Sequence, residues 1–116
     1  MSDLASADKL ASALSHLAET IDARAKGDET DKQSYTQKLL KDGPEICAKK
    51  LGEEGVETAL AIALGQRDDI AAESADLLYH LFVGLRSQGV SLDDVANALI
   101  KRQGISGIEE KTGRRA

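Results

Sequence analysis

Apolar residues recur at helical spacing through the first part of the chain. Four of them are three or four residues apart: Leu10, Leu14, Leu17 and Ile21. This spacing places them on one face of an α-helix, so the pattern predicts a first helix over 3–25. The next segment, 26–33, is polar and contains Gly27 but no apolar residue. It is predicted to be an exposed loop, because such segments are typical of turns.

Four more helices are predicted farther along the chain, over 34–40, 44–64, 69–88 and 91–102. Pro44 fits the first turn of its helix, where the missing N–H has no helical partner to lose. Gly65 is predicted to end that helix, and Asp68 to cap the next one. Ser91 is followed three residues later by the acidic Asp94, a spacing that predicts a helix N-terminus.

These elements predict an all-α fold, an antiparallel bundle of about four or five helices. The chain has 116 residues, enough for a single helical catalytic domain, which we place at 1–102. Aromatic residues make up 3% of the sequence and Trp is missing, so the core is predicted to be aliphatic. The segment 103–116 is rich in glycine and charge and is predicted to be a loosely ordered tail.

Composition limits the classes of partner and of cellular compartment that we expect for this protein. The formal net charge is -5, whereas a nucleic-acid-binding protein normally presents a basic face, so no nucleic-acid partner is expected. No apolar run approaches the roughly 18 residues that span a membrane. The N-terminal residues lack the features of a signal peptide, and the single Cys47 excludes an internal disulfide. We therefore expect a cytoplasmic protein, and a polyanionic substrate stays possible if metal ions mediate its binding.

Two of the predicted helices each carry a pair of acidic residues three positions apart. The pairs are Glu54 with Glu57 and Glu73 with Asp76. On a helix such residues are neighbours, with roughly 5–6 Å between their Cβ atoms. Helical geometry places the first pair in an apolar sector and the second along the border of one. If both helices turn these faces to one core, the two pairs approach each other.

Two glycines lie beside the first acid pair, inside a predicted helix. Gly52 and Gly55 each cost about 1 kcal/mol relative to Ala at such positions. Their presence predicts close approach by another group. Tight packing of a second helix and contact with a ligand both fit this pattern.

Four clustered carboxylates repel one another strongly. Two like charges ~5.5 Å apart repel by about 3 kcal/mol at an effective dielectric constant near 20, and several such pairs add up to on the order of 10 kcal/mol. The whole stability of a domain is about 5–15 kcal/mol, so the acids must be protonated or must bind cations. Ligands that are all oxygen select Mg²⁺, Mn²⁺ or Ca²⁺ over Zn²⁺.

Other interpretations of the acids stay open on this evidence. Each acid taken singly fits a solvated surface charge paired with Lys49, Lys50 or Arg67. A di-iron carboxylate bundle is disfavoured, because that architecture needs Glu-x-x-His on two helices and neither His16 nor His80 completes the motif. We interpret His80 as a packing residue or an outer partner of the acids.

Four blocks of sequence carry a resemblance to a known family. They are SYTQKLL at 34–40, KLGEE at 50–54, ADLLYHL at 75–81 and GVSLDDV at 89–95. The spacing of the acids resembles that of the all-α nucleoside triphosphate pyrophosphohydrolases, which are MazG-like. The blocks around Tyr35 and Tyr79 make the likeness closer to the phosphoribosyl-ATP pyrophosphatases, which catalyse the second step of histidine biosynthesis. One departure is Gly55, where that family often has Ala.

The resemblance implies an enzyme that uses Mg²⁺, with Mn²⁺ as a substitute, to hydrolyse phosphoribosyl-ATP to phosphoribosyl-AMP and pyrophosphate. The metal ligands that we assign are Glu54, Glu57, Glu73 and Asp76. The catalytic candidates are Glu53, Glu54 and Glu57, with Glu53 either activating water or binding a second metal ion. The candidate contacts to the substrate are Tyr35, Lys38 and Lys50.

The resemblance also implies a homodimer with its sites near the subunit interface. We accordingly expect exposed apolar positions on the outer side of the first or fourth helix. Two other classes of function stay open. A house-cleaning pyrophosphohydrolase would prefer a non-canonical nucleotide in a substrate panel, and a non-enzymatic helical interaction module would bind no Mg²⁺.

Overall fold

Five α-helices make up the described part of the chain. The computed structural model describes residues 4, 6–27 and 34–104. The helices are α1 (Asp8–Ala25), α2 (Tyr35–Asp42), α3 (Pro44–Leu64), α4 (Arg67–Ser87) and α5 (Leu92–Lys101). These residues contain no strand, and the predicted all-α fold is confirmed. None of the five helices is long and apolar enough to cross a membrane.

Two of the predicted segments, the loop over 26–33 and the tail over 103–116, fall partly outside the described residues. In the predicted loop, residues 26–27 form an exposed turn, and residues 28–33 lie outside the described part of the chain. Of the predicted tail, 105–116 lie outside. The first helix begins later than predicted, at Asp8, whose carboxylate suits the positive end of the helix dipole in the first turn.

The α3–α4 hairpin is the most extensive helix contact of the described fold. Gly65 ends α3 in the left-handed conformation, with φ 76°, as predicted for this position. Glycine adopts a positive φ without the clash that a Cβ atom would cause. The connection is so short that α4 must return antiparallel to α3. The two acid-bearing helices are therefore neighbours because of a turn that is local in sequence.

Serine side chains cap α2 and α5. The Ser34 side chain accepts a hydrogen bond from the Gln37 N–H, and the Gln37 side chain accepts one from the Ser34 N–H. Ser91 and Asp94 make the same reciprocal pair at α5. Each pair satisfies backbone N–H groups that have no helical partner. The predicted cap at Ser91 is confirmed.

The predicted cap at Asp68 is wrong. Helix α4 begins at Arg67, and its N-cap is Gln66, which makes no capping hydrogen bond with its side chain. Because Gly65 already reverses the chain, the helix resumes at once and Asp68 falls within its first turn. There its negative charge still favours the helix N-terminus.

The core lies at the end of the hairpin that is far from Gly65. It is formed by a cluster of buried side chains from α1, α2, α3 and α4: Ile21, Leu39, Cys47, Phe82 and Val83. The Cys47 thiol donates to the Leu39 carbonyl oxygen, so the one cysteine is a buried packing residue. The acid-bearing turns lie between this core and Gly65.

Apolar residues are exposed mainly on α3 and α5. On α3 they include Val56, Leu60 and Leu64, which are four residues apart and share one face. On α1, Leu10 is half exposed, whereas no large hydrophobic residue of α4 is exposed. The expectation named α1 or α4, and Leu10 meets it on α1. The α4 alternative is not met, because α4 packs against α1, α2 and α3.

The two helical glycines do not mark tight packing inside this chain. A Cβ atom built at Gly52 or Gly55 meets no atom of the described residues within 4 Å. Tight packing of either glycine against another helix is therefore not found among the described residues. What remains of the prediction is approach by a group from outside the described residues.

Candidate active site

Three carboxylates converge where α3 faces α4. Oxygen atoms of Glu54, Glu57 and Glu73 all lie within 4.8 Å of one another. The hairpin brings them together because Glu57 and Glu73 lie at matching distances from the turn. We call these three residues the acid cluster. The predicted approach of acids from two helices is observed.

Asp76, the fourth predicted ligand, lies at the edge of the acid cluster. Its side chain is exposed and its oxygens are not among those that converge. Its negative charge nevertheless contributes to raising the pKa of both Glu54 and Glu73. Asp76 is therefore close enough to act electrostatically on the cluster without being packed into it.

Two oxygens of the acid cluster are shielded from water and lack a partner. They are the Oε2 atoms of Glu54 and Glu73, which have no hydrogen-bond donor within the described part of the chain while the three carboxyls are ionised. Leaving a buried acceptor without a donor costs roughly 1–3 kcal/mol, and more for a charged group. This arrangement fits a cation that would take the place of the missing donors.

The pKa values of two acids reflect this crowding. Burial is the largest cause that raises the pKa of Glu54, followed by a hydrogen bond to Glu57 and the charge of Glu57, while His80 opposes the shift. Burial also leads for Glu73, followed by the charge of Glu57 and a hydrogen bond to it. Both carboxyls therefore hold a proton more firmly than an exposed glutamate. A divalent cation would reverse that preference.

The chemistry of the donors fits a hard cation. The three converging groups offer carboxylate oxygens alone, which suit Mg²⁺, Mn²⁺ or Ca²⁺. Cys47 lies in the core and is bonded to a backbone carbonyl, so it does not join the set. The residues present therefore fit the predicted Mg²⁺.

A buried histidine and a half-exposed tyrosine lie beside the acid cluster. His80 Nδ1 is 2.9 Å from the Asp76 carbonyl oxygen, and because that oxygen is an acceptor, Nδ1 carries the proton. In the neutral ring Nε2 is then an acceptor, so the Tyr35 hydroxyl, 3.3 Å away, donates to it. His80 thus links α2 to the acid-bearing turn of α4, which fits its interpretation as a packing residue.

The other predicted site residues lie outside the acid cluster. Lys38 pairs with Asp42 at 3.0 Å on the exposed side of its own helix. Lys50 and Glu53 pair with each other at 3.7 Å, and both side chains are largely accessible. Glu53 is therefore next to Glu54 in sequence, but its oxygens are not among those that converge.

Sequence reasoning missed one residue of this region, Thr58. It is buried, and its hydroxyl lies within hydrogen-bond distance of the carbonyl oxygens of Glu54 and Glu73. A polar residue one turn after Glu54, on the same apolar sector, was the signal available. Its contact to α4 depends on how the helices pack and is not encoded in local spacing.

A comparison with protein families assigns the chain to a family. The family model described as phosphoribosyl-ATP pyrophosphohydrolase matches residues 14–103, which include all five helices except the first turns of α1. The chain belongs to the phosphoribosyl-ATP pyrophosphohydrolase family. The acid cluster, Asp76 and Tyr35 all lie within the matched region.

Curated members of the phosphoribosyl-ATP pyrophosphohydrolase family are similar over nearly their full length. The phosphoribosyl-ATP pyrophosphatase of Caulobacter vibrioides is 53% identical over 106 residues, which are 91% of this chain and 96% of that protein. Phosphoribosyl-ATP pyrophosphatase 1 of Bradyrhizobium diazoefficiens is 52% identical over 99 residues, 85% of this chain and 92% of the relative. The family predicted from the sequence blocks is confirmed.

Proposed function

We propose that this chain hydrolyses phosphoribosyl-ATP to phosphoribosyl-AMP and pyrophosphate in histidine biosynthesis, with Mg²⁺ held at the acid cluster. The prediction of a phosphoribosyl-ATP pyrophosphatase is confirmed by the family and by the names of relatives that are about half identical. The observation that carries the metal proposal is the pair of shielded Oε2 atoms, on Glu54 and Glu73, that lack a donor.

The residues that would hold Mg²⁺, or Mn²⁺ in its place, are Glu54, Glu57, Glu73 and Asp76. When bound, the metal supplies positive charge to phosphate oxygens and a template for an attacking water. The acid cluster sets where that charge lies, because its three carboxylates come from two helices held by one turn. Asp76, which is exposed, is free to adjust to the substrate.

The catalytic candidates are Glu53, Glu54 and Glu57. A water that attacks phosphorus must lose a proton, and a nearby carboxylate can accept it. Glu57 is exposed and belongs to the cluster, so it offers an accessible oxygen beside the proposed metal. Glu53 faces Lys50 and solvent, which favours a role at the outer rim, as a base or as a ligand of a second metal.

Substrate contacts are proposed for Tyr35, Lys38 and Lys50. Tyr35 is 50% exposed while its hydroxyl is anchored to His80, so its aromatic ring is oriented beside the acids and accessible to a substrate. The two lysines now neutralise Asp42 and Glu53 on the surface. Exchange of these weak surface pairs for a phosphate requires little energy, because exposed ion pairs contribute about 0–1 kcal/mol.

We further propose a cytoplasmic homodimer with no nucleic-acid or membrane partner. The apolar face of α3 supports the dimer, since Val56, Leu60 and Leu64 are each more than half exposed. A second copy of the chain would remove these side chains from water. The acidic net charge of -5 supports a nucleotide substrate bound through a metal rather than a long polyanion.

Pyrophosphate release from phosphoribosyl-ATP tests this proposal. We expect release that requires Mg²⁺, is supported by Mn²⁺ and is lost on removing the metal with a chelator. A substrate panel that includes deoxy- and base-modified triphosphates is the control. Faster release from one of those than from phosphoribosyl-ATP would assign the chain to house-cleaning chemistry instead.

A further inference from the structure

The Thr58 hydroxyl joins the main chains of two acids that lie on different helices. It is 2.8 Å from the carbonyl oxygen of Glu54, one turn earlier on α3, and 3.1 Å from that of Glu73 on α4. Thr58 is buried, with 7% of its surface exposed. The hydroxyl is the donor in both contacts because carbonyl oxygens only accept, and its single proton is shared between them in a three-centre hydrogen bond.

The Thr58 hydroxyl does not need the contact to α4 in order to be hydrogen-bonded. A buried threonine in a helix commonly satisfies its hydroxyl on the carbonyl four residues earlier, as Thr58 does with Glu54. Glu54 and Glu73 lie inside helices, where carbonyls already accept a helical N–H. The second contact therefore adds a cross-link between α3 and α4 without rescuing an otherwise unpaired group.

The cross-link acts at the residues from which two carboxylates of the acid cluster extend. Those residues are the two whose Oε2 atoms are shielded and without a donor. The separation of their backbones sets how far apart their carboxylates begin. Binding sites of this kind need their ligands held within about 0.5 Å of the productive geometry.

We propose that Thr58 is a positioning residue of the acid cluster, whose hydroxyl holds the backbones of Glu54 and Glu73 at the spacing that Mg²⁺ binding requires. This role rests on the Mg²⁺ site of the proposed function. Thr58 does not touch the metal or the substrate; it acts through the two acids that it connects. The competing explanation is that Thr58 simply fills space between α3 and α4 with its methyl group.

The test compares Thr58→Val, which keeps the shape and removes the donor, with Thr58→Ser, which keeps the donor and removes the methyl group. Mg²⁺ affinity is measured by calorimetry on the full chain, beside the unfolding midpoint of the metal-free protein. We expect Thr58→Val to raise the Kd for Mg²⁺ by about 10-fold or more, as for outer partners of metal ligands, and Thr58→Ser to keep the wild-type Kd.

Thr36→Val is the matched control. Among the described residues Thr36 is the other buried threonine, and its hydroxyl contacts the Tyr79 hydroxyl rather than an acid-bearing backbone. We expect loss of the Thr36 hydroxyl to lower the unfolding midpoint and to leave the Kd for Mg²⁺ unchanged. A purely structural role for Thr58 would make Thr58→Val behave in the same way, and that result overturns the proposal.

The remaining outcomes also decide the question. Equal weakening in Thr58→Val and Thr58→Ser assigns the effect to packing and overturns the proposal. If Thr58→Val does not fold, a comparison of Thr58→Ser with Thr58→Ala isolates the contribution of the hydroxyl. Equal Kd values for Mg²⁺ in these two variants overturn the proposal. Wild-type protein that binds no Mg²⁺ removes the proposed metal site and the role of Thr58 together, whereas normal binding in every variant removes the role of Thr58 alone.

Discussion

Glu57 raises the pKa of both Glu54 and Glu73, the two acids with a shielded oxygen. It belongs to the converging group, yet its own side chain is exposed. A residue in this position has opposite effects on the stability of the acid cluster with and without a metal. Without one it adds repulsion to its neighbours, and with one it adds a ligand.

Glu57→Gln should therefore separate stability from activity. We expect the metal-free variant to unfold at a higher temperature than wild type, because one negative charge leaves the cluster. Pyrophosphate release and Mg²⁺ affinity should fall by roughly 100-fold or more, beyond the effect typical of outer partners. Glu19→Gln, at an exposed acid on α1, is the control and should change neither quantity. Retained activity in Glu57→Gln would remove this residue from the site.

The stability of the metal-free protein should fall as pH rises above the usual glutamate range. Glu54 and Glu73 have pKa values raised above 4.5, so between 4.5 and the folded-state values the folded protein binds more protons than the unfolded chain. The free energy of unfolding then decreases with increasing pH in that window. Below 4.5 both states are protonated, and this penalty disappears.

Urea unfolding at several pH values in the presence of a chelator measures this dependence. Glu54→Gln removes one of the two groups with a raised pKa, so its unfolding free energy should decrease less steeply than that of wild type as pH rises above 4.5. Titrating groups outside the acid cluster are the same in both proteins and cancel in the comparison. Identical slopes would mean that Glu54 titrates as an ordinary exposed acid.

The α3–α4 hairpin is the element that turns a one-dimensional spacing of acids into a cluster. Its turn depends on Gly65, whose φ of 76° is unfavourable for a residue with a Cβ atom. By contrast, Gly52 is helical and has open space where a Cβ atom would lie. The same substitution at these two glycines should therefore have opposite effects.

Gly65→Ala should lower the free energy of unfolding by about 1–2 kcal/mol, the cost of a left-handed non-glycine residue. Gly52→Ala should raise it by about 1 kcal/mol, because alanine is the better helix former. Chemical denaturation of the two variants beside wild type measures both changes. Destabilisation by Gly52→Ala would show that another group packs against that position in solution.

At the scale of the whole molecule, the described chain leaves a large part of its apolar surface in water. The face of α3 formed by Val56, Leu60 and Leu64 is the most regular of these surfaces. It lies on the helix that also carries Glu54 and Glu57, so a second chain packed there would border the acid cluster. The proposed homodimer thus has a defined surface.

Leu60→Glu should convert the proposed dimer to a monomer. A charge at the centre of an apolar contact has to be desolvated, which is unfavourable without a partner. Sedimentation equilibrium measures the mass directly, and Ser12→Glu, which adds the same charge at an exposed position of α1, is the control. A wild-type protein that sediments as a monomer would contradict the proposal outright.

Local signals in the sequence determined the helices and the positions of the acids along them. Pro44 and Gly65 bound α3 at the predicted residues, and the Ser91 cap was predicted, because caps and glycine turns depend on adjacent residues. The start of α4 was missed at Asp68, since the tight turn at Gly65 took precedence over the preference of Asp for an N-cap.

Tertiary structure alone decided which atoms of these residues meet. Helical spacing placed four acids on facing turns, but packing drew three into one cluster and left Asp76 at its edge. The bond from Thr58 to the Glu73 carbonyl and the contact between Tyr35 and His80 also join residues far apart in the chain. The physical reason is that helix period and caps are local properties, whereas burial and convergence depend on how the helices pack together.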